Sequence, residues 1–471
     1  MNSKKFDFVI TIFILLIFYR CDSVSLNTIK PDNPSFQFTG RIDFSDSLKP
    51  ILFWPGTSIK TKFEGKYLML VLDDKTGESF YNVFIDENYD DPIIIDCEAG
   101  QKSYLVSATL KDTLHSLLIF RRTEASTGPT KFLGIQLLDN KTILPPDERP
   151  KRKIVFYGNS ITCGMGNEAA DNANDDKMKD ENNFLAYGAI TSRLLNAEYM
   201  CTAKSGIGIL ISWFDLIMPN YYYRLNPDDE SSNWDFEKFV PDVVVINLFQ
   251  NDSWLIKNLN PVPDSTQIVE AYENFVKQIR AVHPKSLIIC ALGNMDATKA
   301  GSPWPGYIIQ AVNNLRLKND LNLETYFFPF DESWQKHPRV RHHKKMADSL
   351  SKFIKMKMNW EDENPVKIGL NNSNISPENF VLFQNYPNPF NPLTKIKYEI
   401  PKSTSPYETF HNVQLKVYDT LGKEVATLVN QALTSGNYET VFDAGKYSSG
   451  VYFYNLFSEG FSITKSMVLL K

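Results

Sequence analysis

Apolar and polar positions follow different rhythms in successive parts of the chain. From about residue 35 to 138 the apolar runs are short, often alternating, and each is cut by turn residues. Ile51-Leu52-Phe53-Trp54 stops at Pro55-Gly56 and 59–63 stops at Glu64-Gly65, with further runs at 67–72, 81–85, 93–95, 117–120 and 132–137. No helical period is sustained there, and many short runs at this spacing predict an all-β sandwich of jelly-roll type. Packing support is the role expected of it.

Beyond the stiff segment Pro145-Pro146-Asp147-Glu148-Arg149-Pro150 the rhythm changes. Apolar residues now repeat every three to four positions at Phe184, Tyr187, Ile190 and Leu194, and at Val269, Tyr272, Val276, Ile279 and Val282. The same period recurs at Ile308, Ala311 or Val312, and Leu315, and at Met346, Leu350, Phe353 and Ile354, which predicts four helices. Between them lie strand candidates at 154–157, 199–202, 243–248, 287–292 and 325–330. Strands alternating with helices predict a three-layer α/β/α domain around a parallel sheet. The insertion 217–238, rich in tyrosine, reads as a surface loop.

After Met358 the chain turns polar through Asn371-Asn372-Ser373-Asn374, then returns to strand-like alternation at 413–417 and 451–456. The expected organisation is a leader at 1–25, a β-sandwich at 35–142, an α/β/α domain at 151–358, a linker at 359–378 and a terminal β-sandwich domain at 379–471.

Composition narrows the classes. A chain of 471 residues exceeds one ordinary core. Its net charge of −5, with both signs interspersed, leaves no basic footprint for nucleic acid. Lys4 and Lys5 precede an apolar run at 8–19, too short to span a bilayer but suited to a secretory leader. Cys21 does not make it a lipoprotein, because Tyr19-Arg20 lacks the small residues that such cleavage needs. No later segment is apolar enough to cross a membrane, so an exported protein without a span is expected. Cys97, Cys163, Cys201 and Cys290 fit no zinc spacing and no Cys-x-x-Cys pair. They are expected as buried thiols, with Cys163–Cys201 the one pairing that strand-end positions would allow.

The candidate chemistry centres on Ile154-Val155-Phe156-Tyr157-Gly158-Asn159-Ser160. A buried strand that ends in a turn leaves Ser160 at its carboxyl end, where open α/β sheets bind ligands. A hydroxyl there needs a base. The chain has six histidines. His115 and His411 fall in β regions and His283 ends a helix before Pro284, while His342 and His343 lie on or beside the last helix. His337, in the loop before that helix, is the candidate base. Gly206, in Ser205-Gly206-Ile207-Gly208, and Asn251, after the run 243–250, are candidates for an oxyanion hole together with the Ser160 N–H.

Ser160, Gly206, Asn251 and His337 in this order resemble the four blocks of the SGNH hydrolase superfamily. Tyr157-Gly158-Asn159-Ser160-Ile161-Thr162-Cys163-Gly164, Ala186-Tyr187-Gly188 and His337-Pro338 resemble carbohydrate esterase family 2 in particular. The resemblance implies a serine esterase acting on O-acetyl groups of plant polysaccharides such as xylan or glucomannan. The sequence holds no His-x-His or His-Glu-x-x-His, so no metal and no cofactor are expected. Three positions depart from the superfamily. Asn159 replaces the usual acid before the serine, Phe249 occupies a glycine position, and Trp334 stands where an acid usually lies three residues before the histidine. Family 2 relatives run on a Ser-His dyad with a main-chain acceptor. The expected partner of His337 is therefore the Trp334 carbonyl, with Asp331 as the alternative. Trp254 and Trp304 are candidate sugar platforms.

At the C-terminus, Asn385-Tyr386-Pro387-Asn388-Pro389-Phe390-Asn391, Ser449-Gly450-Val451-Tyr452 and the final Lys465–Lys471 stretch resemble a type A sorting domain of type IX secretion. That implies the type IX machinery as a partner and an extracellular or cell-surface destination. Two alternatives stand beside the deacetylase: a carbohydrate-binding surface protein whose catalytic site has decayed, and a lipid esterase or thioesterase with Phe249 and Trp254 lining an apolar trough.

Overall fold

The computed structural model describes residues 25–331, 336–360, 380–401, 410–420, 423–458 and 461–471. The expected leader and linker lie almost wholly outside these residues. The chain forms two compact units, the second beginning at Lys367.

The first unit opens with two six-stranded sheets. Leu68–Asp74 pairs antiparallel with Thr130–Leu138 in one, and Ser58–Glu64 with Leu114–Arg121 in the other. Strand period explains the packing. In Ser58–Glu64 the residues Ile59, Thr61 and Phe63 are buried while Lys60 and Lys62 are less so, because alternate side chains face opposite sides. Ile59 and Phe63 meet Leu70, Leu72, Leu117, Ile119, Phe132 and Ile135 in one apolar core.

The expected α/β layer follows. Its five parallel strands lie in the spatial order Ala197–Ala203, Arg152–Gly158, Val243–Asn247, Leu287–Leu292 and Leu323–Phe327. The order therefore reverses beside the strand that leads into Ser160, the kind of place where such sheets bind ligands. Ile154 and Phe156 pack on the face carrying α2 (Tyr187–Leu194) and α6 (Val340–Met358). Val155 and Tyr157 pack on the face carrying α4 (Ser265–Val282) and α5 (Trp304–Leu317). Helices on both faces explain why Val243–Asn247 and Leu287–Leu292 are buried throughout rather than alternating. Helix α4 begins in a capping box of Asp264 and Gln267.

Two expectations need correction. Phe184 belongs to a separate 3-10 turn, Asn183–Leu185, rather than to the helix that starts at Tyr187. The tyrosine-rich insertion is not mere surface. Tyr221 and Trp234 are buried, Trp54 Nε1 donates to the Leu225 carbonyl, and the Arg41 guanidinium lies among Trp54, Tyr157 and Trp234. The β-sandwich thus shares a core with the α/β layer, as do Phe84 and Phe120 against Phe184. Cys97, Cys163, Cys201 and Cys290 are free and buried.

The second unit holds a three-stranded sheet and a four-stranded sheet, all antiparallel. Ile396, Tyr398, Leu415, Val417, Tyr454 and Leu456 form its core. No helix among the described residues is long and apolar enough to cross a membrane.

Candidate active site

Strand Arg152–Gly158 delivers Ser160 into the one-turn helix α1 (Ser160–Cys163). Asn159 caps that turn, its side-chain oxygen accepting from the Ile161 N–H at 3.1 Å, so the residue that departs from the usual acid keeps a capping acceptor. Ser160 is 7% exposed.

His337 lies 177 positions later in the chain, yet its Nε2 is 2.8 Å from Ser160 Oγ. The other ring nitrogen, Nδ1, lies 3.0 Å from Asp175 Oδ2, which also accepts the His337 backbone N–H at 2.8 Å. Arg339 Nη1 is 3.6 Å from the same oxygen. Burial opposes ionisation of Asp175, but the two bonds from His337 and the Arg339 charge outweigh it and hold the carboxyl well below its ordinary value. The arrangement is a hydroxyl, an imidazole and a carboxylate in line.

This corrects the expectation of a dyad without a carboxylate. Asp331 lies instead 3.6 Å from His342 Nε2. Trp334 lies outside the described residues. Asp175 sits in the polar stretch Asp171-Asn172-Ala173-Asn174-Asp175-Asp176, where no spacing distinguishes one acid from its neighbours.

The two remaining site candidates follow the strands on either side of the one leading to Ser160. Gly206 comes just after Ala197–Ala203 and has φ +82°, a conformation that costs glycine little. Asn251 is the second residue of the short helix α3 (Gln250–Leu255), which follows Val243–Asn247. Its Nδ2 donates to the Ile207 carbonyl at 2.8 Å, which ties it to the Gly206 loop and engages one of its two amide hydrogens. Asp252 holds the same loop, its carboxylate accepting from the backbone N–H groups of Ile209, Leu210 and Ile211 at 2.7 to 3.3 Å. Burial pushes the Asp252 carboxyl up to about 6, against the pull of those donors. Gly208 is required here: a Cβ on it would lie 2.6 Å from Asp252 Oδ2 and 2.1 Å from the Ile211 carbonyl oxygen.

Of the expected platforms, Trp304 is only 6% exposed and packs edge-on against Phe249 with ring centroids 5.0 Å apart. It is core, buried at the start of α5. Trp254 is half-buried and its indole N–H donates to Asp296 at 2.9 Å. Phe249 is fully buried at φ +83°, which shows why a glycine suits that position and why this ring lines no open trough. The aromatic at the site that sequence reasoning missed is Trp213. It is 63% exposed, its indole N–H donates to Asn251 Oδ1 at 3.1 Å, and its backbone N–H donates to the Gly206 carbonyl at 3.1 Å. No motif marks it in the sequence.

A family model described as Carbohydrate esterase 2 N-terminal matches residues 38–146, and one described as Secretion system C-terminal sorting domain matches residues 384–470. Cellulase/esterase CelE of Acetivibrio thermocellus is 34% identical over 340 residues, which are 70% of this chain and 40% of that protein. This chain therefore spans less than half the length of CelE. An acetylxylan esterase / glucomannan deacetylase of Cellvibrio japonicus is 26% identical over 344 residues, 71% of this chain and 92% of that protein. The structure of a family two carbohydrate esterase from Clostridium thermocellum in complex with cellohexaose matches with a TM-score of 0.63 at 31% identity, over 69% of this chain and 100% of that one.

Proposed function

The chain belongs to carbohydrate esterase family 2 and carries a C-terminal secretion sorting domain, and from that premise we propose that it is a secreted serine esterase that deacetylates O-acetylated polysaccharides of the xylan or glucomannan kind. The observation that carries this reading is the 2.8 Å contact of His337 Nε2 with Ser160 Oγ, backed by Asp175 on Nδ1. His337 takes the Ser160 proton as Oγ attacks the acetyl carbonyl, and the Asp175 carboxylate stabilises the imidazolium that forms. The Ser160 N–H, the Gly206 N–H and the second amide hydrogen of Asn251 receive the oxyanion. His337 then protonates the departing sugar hydroxyl. A water, deprotonated by the same ring, releases acetate from the acetyl-serine.

Relatives named as an acetylxylan esterase / glucomannan deacetylase and a family two esterase bound to cellohexaose support the substrate class. Trp213 supports it further, as an open indole face beside Asn251 on which a sugar ring can stack. The domain scheme belongs to the same reading: a leader at 1–25, a jelly-roll sandwich at 35–142, a hydrolase domain at 151–358, a linker at 359–378 and a sorting domain at 379–471. A sorting domain also fits a polymer that must be met outside the cell. The lipid-esterase alternative needs an apolar trough, and Phe249 is buried against Tyr272 and Trp304.

Initial rates on p-nitrophenyl acetate and octanoate, with wild type and Ser160→Ala, test the reading. A preference for acetate that disappears in Ser160→Ala is expected. A preference for octanoate, or equal rates for the two proteins, would overturn it.

A further inference from the structure

The loop between Gly164 and Asn182 carries Asp175 near its middle, and its two shoulders meet at one guanidinium that comes from the β-sandwich. Arg122 directly follows the strand Leu114–Arg121 and is 1% exposed. Its Nη2 ion-pairs with the Glu168 carboxylate and donates to the Lys179 carbonyl at 2.9 Å. Its Nε donates to the Glu181 carbonyl at 3.2 Å, and its Nη1 to Asn82 Oδ1 at 3.1 Å. Asn82, also in the sandwich, donates to Asn182 Oδ1 at 3.1 Å.

The loop also has ties of its own: the Glu168 N–H donates to the Asp180 carbonyl at 3.0 Å, Asn167 Nδ2 to the Asn182 carbonyl at 2.8 Å, and Arg341 Nη1 to Asp171 Oδ1 at 2.6 Å. Residues 168–181 are mostly short polar or acidic, with Ala169, Asp175 and Glu181 buried among them. Arg339 secures the inner side through the Gly166 carbonyl at 2.7 Å and the Ala173 carbonyl at 3.4 Å. At the outer shoulders Arg122 binds residues 168, 179 and 181 through a single buried group, and removing it takes away all of those contacts at once. Two residues further on, Glu124 accepts from the Ser205 N–H at 2.8 Å, so the same sandwich turn also touches the residue before Gly206.

We propose that Arg122 is a positioning residue for the reaction: it holds the loop that presents Asp175 to His337, which makes the β-sandwich part of the catalytic apparatus rather than an appendage. This rests on the reading of Ser160, His337 and Asp175 as the reacting set.

The test is a double-mutant cycle on p-nitrophenyl acetate in the full chain. Arg122→Ala is expected to lower kcat about 10- to 100-fold with KM within about twofold, since misplacing a catalytic group by about 1 Å costs on that order. In an Asp175→Ala background, where no acceptor is left to position, the same change is expected to cost less than about threefold, because Arg122 acts through Asp175. Glu168→Ala, at a side chain that is 31% exposed, removes one clamp contact and runs the same cycle should Arg122→Ala not fold. Arg122→Lys is expected to recover part of the loss. Wild-type kcat in Arg122→Ala or in Glu168→Ala, or an equal loss in both backgrounds, overturns the proposal. Should Ser160→Ala and Asp175→Ala keep the full rate, the reacting set itself is at fault. If both lose activity while the cycle stays multiplicative, only the positioning role fails.

Discussion

Replacing Asp175 separates two things that its carboxylate does for His337. The His337 backbone N–H, its ring Nδ1 and the Arg339 guanidinium all converge on Oδ2, at 2.8, 3.0 and 3.6 Å. An asparagine that puts its carbonyl oxygen in that place keeps the acceptor, and with it the ring tautomer, and loses only the charge. A unit charge pair at about 4 Å is worth about 4 kcal/mol at an effective dielectric of about 20. The His337 and Asp175 side chains are 20% and 11% exposed, so solvent screening reduces this to about 2–3 kcal/mol. Asp175→Asn should then lower kcat about 30- to 100-fold. Asp175→Ala also removes the acceptor and frees the ring, so its loss should approach the roughly 10⁴-fold seen when a triad loses its tautomer control. Initial rates on p-nitrophenyl acetate across pH, with thermal melts as a fold control, measure both. Both variants within about threefold of wild type would refute the reasoning and restore a main-chain acceptor for the imidazole.

Other perturbations follow from the same geometry. Phe249→Gly relieves a left-handed backbone worth about 1–2 kcal/mol but empties a fully buried ring site that costs about 3–5 kcal/mol. The cavity wins, and a lower melting temperature is expected, whereas a higher one would show that strain dominates. Gly208→Ala drives a Cβ into Asp252 and the Ile211 carbonyl, so the Gly206 loop must move. A kcat loss of about tenfold or more is expected, and an unchanged kcat would mean that the loop relaxes harmlessly. His283 and His343 are held neutral by burial, with neighbouring positive charge adding to it, and each is pushed down to about 3. Their folded values lie below the unfolded ones, so the unfolded chain binds more protons below neutrality and stability falls as pH drops from about 6.5 toward 3. At pH 5 each should cost about 2 kcal/mol relative to pH 7. Thermal melts at the two pH values check this, and the His283→Gln/His343→Gln pair should show a smaller drop than wild type. An equal drop would place the titration elsewhere.

Much of the architecture was legible because periodicity reports burial. The parallel-sheet strands appear as unbroken apolar runs, and α4 and α6 show as three- and four-residue repeats, since one face of each packs on the sheet. Ser160 and His337 were legible for a different reason: a strand-end serine and a histidine in a loop are set by local sequence. Asp175 was not, because it reaches His337 from a loop 162 residues away in the chain and lies among other acids of equal local appearance. Nor was Trp213, whose role depends on a turn that folds its indole back onto Asn251. The glycine-like demand at position 249 is local, yet only the observed φ shows that a phenylalanine tolerates it. Trp304 misled because a tryptophan beside prolines serves equally well as core.

The most direct measurement is covalent labelling of the nucleophile. Intact enzyme incubated with an organophosphate esterase inhibitor, then digested and mapped by mass spectrometry, should carry the adduct on the Ser160 peptide, in step with loss of acetylesterase activity. His337→Ala should label far more slowly. A fully active protein that takes no label, or takes it at a residue other than Ser160, would contradict the account.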